Sequence, residues 1–361
     1  MPDDVNSSAE ICHNRSAMQK SLFKITKQKL CIFYRMHYTK SDKHRHVIPK
    51  SNHTQRSPYG TMLQQIRFFL TSEYYDFLKP GLDEVRAAAM NGLPEGAVLQ
   101  ISLDTISESE CTPSSDACSD PKISDRGHLL AVTDSSVMLH RLLAQGYYAI
   151  ALYHETNHSE DFSGTPYAVE DLFSMTYDSY EKAYERLAGL PWQILTTPRL
   201  TLRESTVLDV EDFYRIYQDP SITKYMENLF PDRNEERSYM RDYIQKIYGF
   251  YGFGLWSVIH TVTGTVIGRA GLSVREGYEL PELGFVTDVA FQHQGYTYEI
   301  CEAILRYAWE DLEFPQVQAF CHPENTASLH LLQKLGFTYA GEEFLEGIPH
   351  ARYIVSLPKS C

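Results

Sequence analysis

An α/β chain, with an α+β mixed sheet in its second half, is the class this sequence predicts. Three observations carry it: a β-α-β order over His128–Tyr153, a hairpin turning at Val262-Thr263-Gly264, and a strand that enters a loop and then a helix over Glu282–Thr297. The first pattern implies parallel strands joined by a right-handed crossover. The second implies an antiparallel pair, so parallel and antiparallel strands occur in one chain.

Composition permits this. At 361 residues, 43 % hydrophobic and 12 % aromatic, the chain is long enough for two domains with real cores and is not disordered throughout. Seven scattered cysteines show no CxxC pair and read as reduced thiols in a cytoplasm. No stretch approaches the apolar length of a membrane span, and no cleavable export signal opens the chain. The first 60 residues carry 11 Lys+Arg against 4 Asp+Glu, while the remainder carries 22 against 43. An acidic body argues against nucleic-acid binding, which needs clustered cations, and suits amine-bearing partners.

The elements follow in order. Residues 1–60, basic and polar, with Pro49 and Pro58 bracketing a polar stretch, read as a tail. Residues 61–190 read as a small α/β module. Its first element is a helix, because Leu63, Ile66, Phe69 and Leu70 fit a 3-4 spacing; a second helix spans Leu82–Met90, and a strand Ala97–Leu103. The Ser/Asp-rich stretch 104–126 reads as a loop. A strand at His128–Thr133, a helix at Ser135–Gln145, a strand at Tyr147–Tyr153 and a helix at Tyr177–Leu187 complete the module. Substrate gating, dimer contact within a homodimer, and ligand sensing are all open roles for it.

A different rhythm begins near Thr196. Leu200–Arg203 alternate as a strand, Thr206 and Asp209 give a helix-start signal, and Val210, Phe213, Tyr214 and Tyr217 form an apolar stripe. A polar helix over Asn234–Tyr248 leads to the hairpin Trp256–Thr261 and Thr265–Leu272. The strand from Glu282, a helix over Tyr298–Leu312, a strand at Val317–Phe320, a helix at Asn325–Leu335 and two closing strands finish the order.

The junction at Glu282–Thr297 carries the most chemistry. A strand ending in a glycine-containing loop and passing straight into a helix aims unpaired backbone N–H groups at one point, where the helix dipole favours negative charge. Gln292, Gly295 and Thr297 form a Gln-x-x-Gly-x-Thr pattern there, suited to a pyrophosphate.

Four separated segments in this order, TPRLTLRESTVLDVEDFY at Thr197–Tyr214, IGRAGL at Ile267–Leu272, ELGFVTDVAFQHQGYTYE at Glu282–Glu299 and NTASLHLLQKLGF at Asn325–Phe337, resemble the GNAT N-acetyltransferases. The likeness is to the branch of ribosomal-protein N-terminal acetyltransferases and covers about 196–357. It implies acetyl-CoA as co-substrate, no metal, and transfer of acetyl to the primary amine of a small molecule or a protein N-terminus. By resemblance, the backbone of Phe285, Val286, Thr287, Asp288, Val289 and Ala290 pairs with the pantetheine arm. Gln292, His293, Gln294, Gly295, Tyr296 and Thr297 cradle the pyrophosphate, and Asn325 contacts the cofactor. Thr297 stands where the family has a small residue.

The resemblance makes Glu282 the group that deprotonates or orients the amine; the alternative is an exposed or structurally paired carboxylate. Asn325 equally suits a helix N-cap. The family's acid tyrosine, seven residues beyond the asparagine, is Leu332 here, which leaves Ser328 as the candidate acid or cofactor contact, or a plain helix serine. A non-catalytic acetyl-CoA-sensing module is the competing class.

Two further motifs stand in the first module. His154-Glu155-Thr156-Asn157-His158 matches HExxH, which on a helix would hold zinc for a metallopeptidase, but it follows a predicted strand and precedes loop-forming residues. The unit around Asp134 is similar to the core of haloacid-dehalogenase-like hydrolases, yet Ser136 stands where the second carboxylate of DxD belongs.

Overall fold

The computed structural model describes residues 63–106 and 126–356. The expected basic tail over 1–60 and most of the expected loop over 104–126 lie outside the described residues. Two compact units divide between Trp192 and Gln193.

The first unit contains β1 (Gln65–Thr71), α1 (Ser72–Leu78), α2 (Leu82–Met90), β2 (Gln100–Ile106), β3 (Leu129–Thr133), α3 (Ser136–Ala144), β4 (Tyr148–Leu152), β5 (Ala168–Val169) and α4 (Tyr177–Leu187). Its sheet runs β2-β1-β3-β4-β5, with every neighbouring pair parallel. All five residues of β3 are buried, as expected of a parallel strand covered on both faces. Leu130 and Val132 face Tyr180 and Tyr184 of α4 on one side; Leu129 and Ala131 face Met138, Leu139 and Leu142 of α3 on the other.

The helix expected at the start of this unit is a strand. Ile66, Phe68 and Leu70 are buried while Gln65, Arg67 and Phe69 are half-buried, a period of two that the helical reading of Leu63, Ile66, Phe69 and Leu70 concealed. The β-branched and aromatic residues pack as a pleated strand between β2 and β3, which lie far along the chain. The strand expected at Ala97–Leu103 forms three residues later and runs to Ile106. Asp104, assigned to the loop, sits in that strand and pairs with Arg67 at 2.5 Å.

The second unit contains β6 (Gln193–Thr196), β7 (Leu200–Arg203), α5 (Val210–Tyr217), α6 (Arg233–Tyr243), β8 (Leu255–His260), β9 (Val266–Ser273), β10 (Glu282–Thr287), α7 (Tyr296–Glu310), β11 (Gln316–Cys321), α8 (Thr326–Lys334), β12 (Thr338–Leu345) and β13 (Ile348–Ser356). Strand β6 precedes the expected start of this unit. Eight strands form one mixed sheet, β12-β13-β11-β10-β9-β8-β7-β6, antiparallel except where β10 meets β11. Helix α7 lays Ile300, Ile304 and Leu305 on Trp256, Leu272 and Leu283. On the opposite face, Phe213 and Ile216 of α5 and Met240 of α6 pack against Val266 and Val286.

The entrance to α5 is tightly specified. Thr206 and Asp209 stand as a capping box in which the Thr206 amide donates to Asp209 at 2.8 Å, and Asp209 also receives both terminal nitrogens of Arg203 at 2.7 Å each and the Ser257 hydroxyl at 2.9 Å. The polar helix expected over Asn234–Tyr248 ends as an α-helix at Tyr243 and continues as a π turn over Ile244–Tyr248. Strand β9 lies so close to its neighbours that a Cβ on Gly271 would sit 2.0 Å from the Gly254 carbonyl oxygen. Among the described residues no helix is long and apolar enough to cross a membrane.

Candidate functional site

Strand β10 is paired with β9 along its whole length, Glu282–Thr287, but with β11 at one position only, Glu282 opposite Gln318. From Leu283 onward its β11-facing backbone edge has no strand partner. A bridge at the head of this opening fixes where it begins: Gln318 donates its amide to Pro281 O at 2.9 Å and its side-chain nitrogen to Leu280 O at 2.8 Å.

At the other end the strand passes into the loop that precedes α7. Gly295 occupies the N-cap of α7 at φ 80° and has no side chain to cap it, so the first-turn amides of a fifteen-residue helix remain available. The helix begins at Tyr296, two residues earlier than the spacing predicted, which brings Tyr296 and Thr297 into that first turn. His293 also takes a positive φ of 59°.

The loop is braced from within. Asp288 accepts the Ala290 amide at 2.9 Å and is ion-paired with Arg215; Gln292 donates to Thr287 O at 3.0 Å, and Gln294 to Ala290 O at 3.0 Å. These bonds turn the side chains of Asp288, Gln292 and Gln294 to the loop's own structure, so what Phe285–Thr297 can offer a ligand is mainly backbone. Val289, Ala290 and His293 are exposed, whereas Phe285, Thr287 and Gln292 are half-buried and Val286 is buried. Thr297 shares a hydroxyl–hydroxyl hydrogen bond of 2.8 Å with Thr287, and this contact accommodates the residue that departs from the family pattern.

Arg199, within the TPRLTLRESTVLDVEDFY segment, has no role that its local sequence announces. Its Nε meets Glu299 at 2.6 Å, its Nη1 donates to Gln294 O at 3.0 Å, and its guanidinium lies 4.2 Å over the Tyr296 ring. A cation is thereby fixed beside the glycine turn. Burial opposes the charge of Glu299, but hydrogen bonds from Thr197 and Arg199 outweigh it and hold the carboxyl below its usual range. The separation of about a hundred residues between these partners hid the pairing from sequence reasoning.

Glu282 is 9 % exposed and accepts two hydrogen bonds from Arg275, Nε at 2.6 Å and Nη2 at 3.0 Å. The carboxylate is therefore held in a defined position at the head of the opening, and Arg275 is a partner that no local pattern announced. Asn325 is the N-cap of α8, accepting the Ser328 amide at 3.2 Å. The Cys321 thiol donates to His322 O at 3.5 Å and to Asn325 O at 3.7 Å, and burial pushes it up to about 11 against a lowering influence of Ser328. Leu332, where the family places a tyrosine, is buried at 1 % exposure.

An anionic, amide-bearing cofactor fits what is present: an unpaired strand edge, a glycine where a Cβ would project from the loop, first-turn amides with no side-chain cap, and a guanidinium alongside.

In the first unit, the two imidazoles of the HExxH match do not converge. His154 leaves β4 in a non-helical turn, stacks on Tyr74 at 4.3 Å and meets Asp134 at 3.4 Å, while His158 stacks on Tyr153 at 5.7 Å. Among the described residues no group of three His, Cys, Asp or Glu side chains is arranged to hold a metal. Asp134 is 1 % exposed and accepts the Thr71 amide at 2.8 Å and the Thr71 hydroxyl at 2.5 Å, which ties the ends of β1 and β3 together.

Comparison with known proteins bears on residues 199–338, which match the acetyltransferase (GNAT) domain family. The N-acetyltransferase p20 of Bacillus licheniformis, itself uncharacterised, is 31 % identical over 155 residues, covering 41 % of this chain and 84 % of that protein. The uncharacterised N-acetyltransferase YnaD of Bacillus subtilis (strain 168) is 27 % identical over 148 residues, covering 41 % and 84 %. Among solved structures, a GnaT-family acetyltransferase from Bordetella pertussis is 21 % identical and covers 45 % of this chain and 99 % of that one, with a TM-score of 0.40.

Proposed function

The chain belongs to the GNAT acetyltransferases, and from that premise we propose that it moves an acetyl group from acetyl-CoA to a primary amine, on a small molecule or a protein N-terminus, by direct transfer. The observation that carries the cofactor half of this reading is the single pairing of β10 with β11 followed by a glycine-capped helix. The backbone of Phe285–Ala290 receives the amide groups of the pantetheine arm. The amides around Gly295, Tyr296 and Thr297, with Arg199 beside them, receive the pyrophosphate. Bound acetyl-CoA supplies the activated thioester.

The residues of this chain then manage the acceptor. An ammonium has no lone pair, so a proton must leave before the nitrogen attacks. Glu282, fixed by Arg275, accepts or directs that proton. As the carbon–nitrogen bond forms, the carbon–sulfur bond breaks, and the departing thiolate takes up a proton. Ser328 stands on the neighbouring helix as the candidate donor. Asn325 shapes the start of that helix by its cap and offers its remaining amide nitrogen to the cofactor.

The test is thiol release from acetyl-CoA in the presence of a panel of amines. Glu282→Gln is expected to lower kcat by ~10²–10⁴-fold with acetyl-CoA affinity retained. A variant that lowers stability and leaves kcat alone would assign Glu282 to its ion pair with Arg275 instead. Tight cofactor binding with no amine ever acetylated would leave the sensing module as the correct reading.

A further inference from the structure

Several arginines of the second unit are matched to carboxylates, and one buried arginine is not. Arg203 holds Asp209, Arg215 holds Asp288, and Arg275 holds Glu282. Arg269 of β9 is 6 % exposed, its Nε has no hydrogen-bond partner, and among the described residues no carboxylate is ion-paired with it. Its register partners are Val286 on β10 and Ser257 on β8, so its side chain leaves the sheet on the face covered by α5 and α6. There the guanidinium lies 4.5 Å over the ring of Phe213. The phenols of Tyr217, Tyr239, Tyr243 and Tyr248 lie within electrostatic reach around it.

Ring faces answer part of the charge of a guanidinium but not its N–H donors. Tyr248 spends its hydroxyl on the Ser205 amide and Leu255 O, and Tyr243 spends its own on the Leu255 amide. A buried cation whose Nε–H is unspent is costly to keep. The arrangement resembles a receptor more than a strut: the guanidinium of Arg269 lies on the Phe213 ring, and its fork matches a planar carboxylate. It stands one strand away from the β10 edge assigned above to the pantetheine arm, and the five-residue π turn Ile244–Tyr248 forms part of its wall.

We infer that Arg269 receives an anionic group of the acceptor, and that the acceptor is an amine that also carries a carboxylate. The amine half rests on the acetyl-transfer reading; the carboxylate half rests on Arg269 alone. Two measurements on the full chain separate them. The thermal midpoint is followed with increasing sodium acetate against sodium chloride at equal ionic strength, for the wild type and for Arg269→Met, whose side chain has similar length and no charge. A saturable rise specific to acetate is expected in the wild type and is lost in the variant. Coincident curves for the two salts in the wild type overturn the inference, and that comparison needs no variant to fold.

The second measurement sets free amino acids against their carboxamides in the thiol-release assay. The wild type is expected to show a KM about tenfold or more lower for the acid of each pair, and Arg269→Met to equalise the two without altering the KM for acetyl-CoA. Equal KM values in the wild type also overturn the inference while leaving acetyl transfer standing. Absence of thiol release with every amine, together with a retained acetate effect, would instead reject the transfer reading.

Discussion

Gly295→Glu is expected to abolish acetyl-CoA binding while the protein stays folded. Two effects act at one residue. At φ 80° a side chain of any kind is strained, by roughly 1–2 kcal/mol for the left-handed region. The new Cβ itself meets little, its nearest neighbour being Arg199 Nη2 at 3.5 Å, so the strain is local and the fold tolerates it. The carboxylate then projects from the N-cap toward the first-turn amides and Arg199, which are the groups proposed for the pyrophosphate. Negative charge is favoured there, so the substituted side chain becomes a resident competitor that the ligand's own charge also repels. A weakening of at least about a hundredfold, near 2.7 kcal/mol, is the expected outcome by calorimetric titration. Gly295→Ala separates the two effects, since it carries the strain without the charge and should cost about tenfold or less. Equal affinity in Gly295→Glu and wild type would remove the cradle from this loop.

The largest effect on stability is expected at Asp209. Its carboxylate takes two hydrogen bonds from Arg203, the Thr206 amide at 2.8 Å and the Ser257 hydroxyl at 2.9 Å, and the ion-paired side chains of Arg203 and Asp209 are 8 % and 5 % exposed. Asp209→Ala deletes half of a buried ion pair and leaves Arg203 charged in a dry site, for which the cost is about 3–5 kcal/mol. The capping box of α5 is lost at the same time. Urea unfolding should therefore show a midpoint well below that of the wild type. Arg203→Met combined with Asp209→Leu should recover much of the loss, because removing both partners leaves no uncompensated charge. An unchanged midpoint in Asp209→Ala would show that water reaches this pair and solvates the Arg203 charge.

What the sequence made legible was local in character. The capping box at Thr206 and Asp209, the hairpin between β8 and β9, the glycine at the head of α7 and the asparagine cap of α8 all involve residues within a few positions of one another. Turn chemistry and short periodicities report such features directly. The misread first strand shows the limit: Leu63, Ile66, Phe69 and Leu70 satisfy a helical spacing, and only pairing with Gln100–Ile106 and Leu129–Thr133 decides the matter. The candidate site divides in the same way. Its glycine loop and Glu282 stand in one contiguous segment. The arginines that complete it, Arg199 beside the loop and Arg275 on Glu282, are recognisable only once the chain has brought them to their partners. Arg269 lies within IGRAGL, yet its lack of a carboxylate partner is a property of the packed interior, which no spacing encodes.

The single pairing between β10 and β11 has a consequence for the protein as it is made. Strands β6 to β10 are contiguous in sequence and form one half of the sheet; β11 to β13 form the other and emerge only after α7. As synthesis proceeds from the N-terminus, the first half can assemble while the lower part of β10 is its outermost edge. An exposed strand edge invites pairing with another chain, and most proteins protect theirs by charge, by a bulge or by a covering strand. Here completion of the chain covers that edge only at Glu282. From Leu283 to Thr287 a sheet edge persists in the middle of the finished sheet.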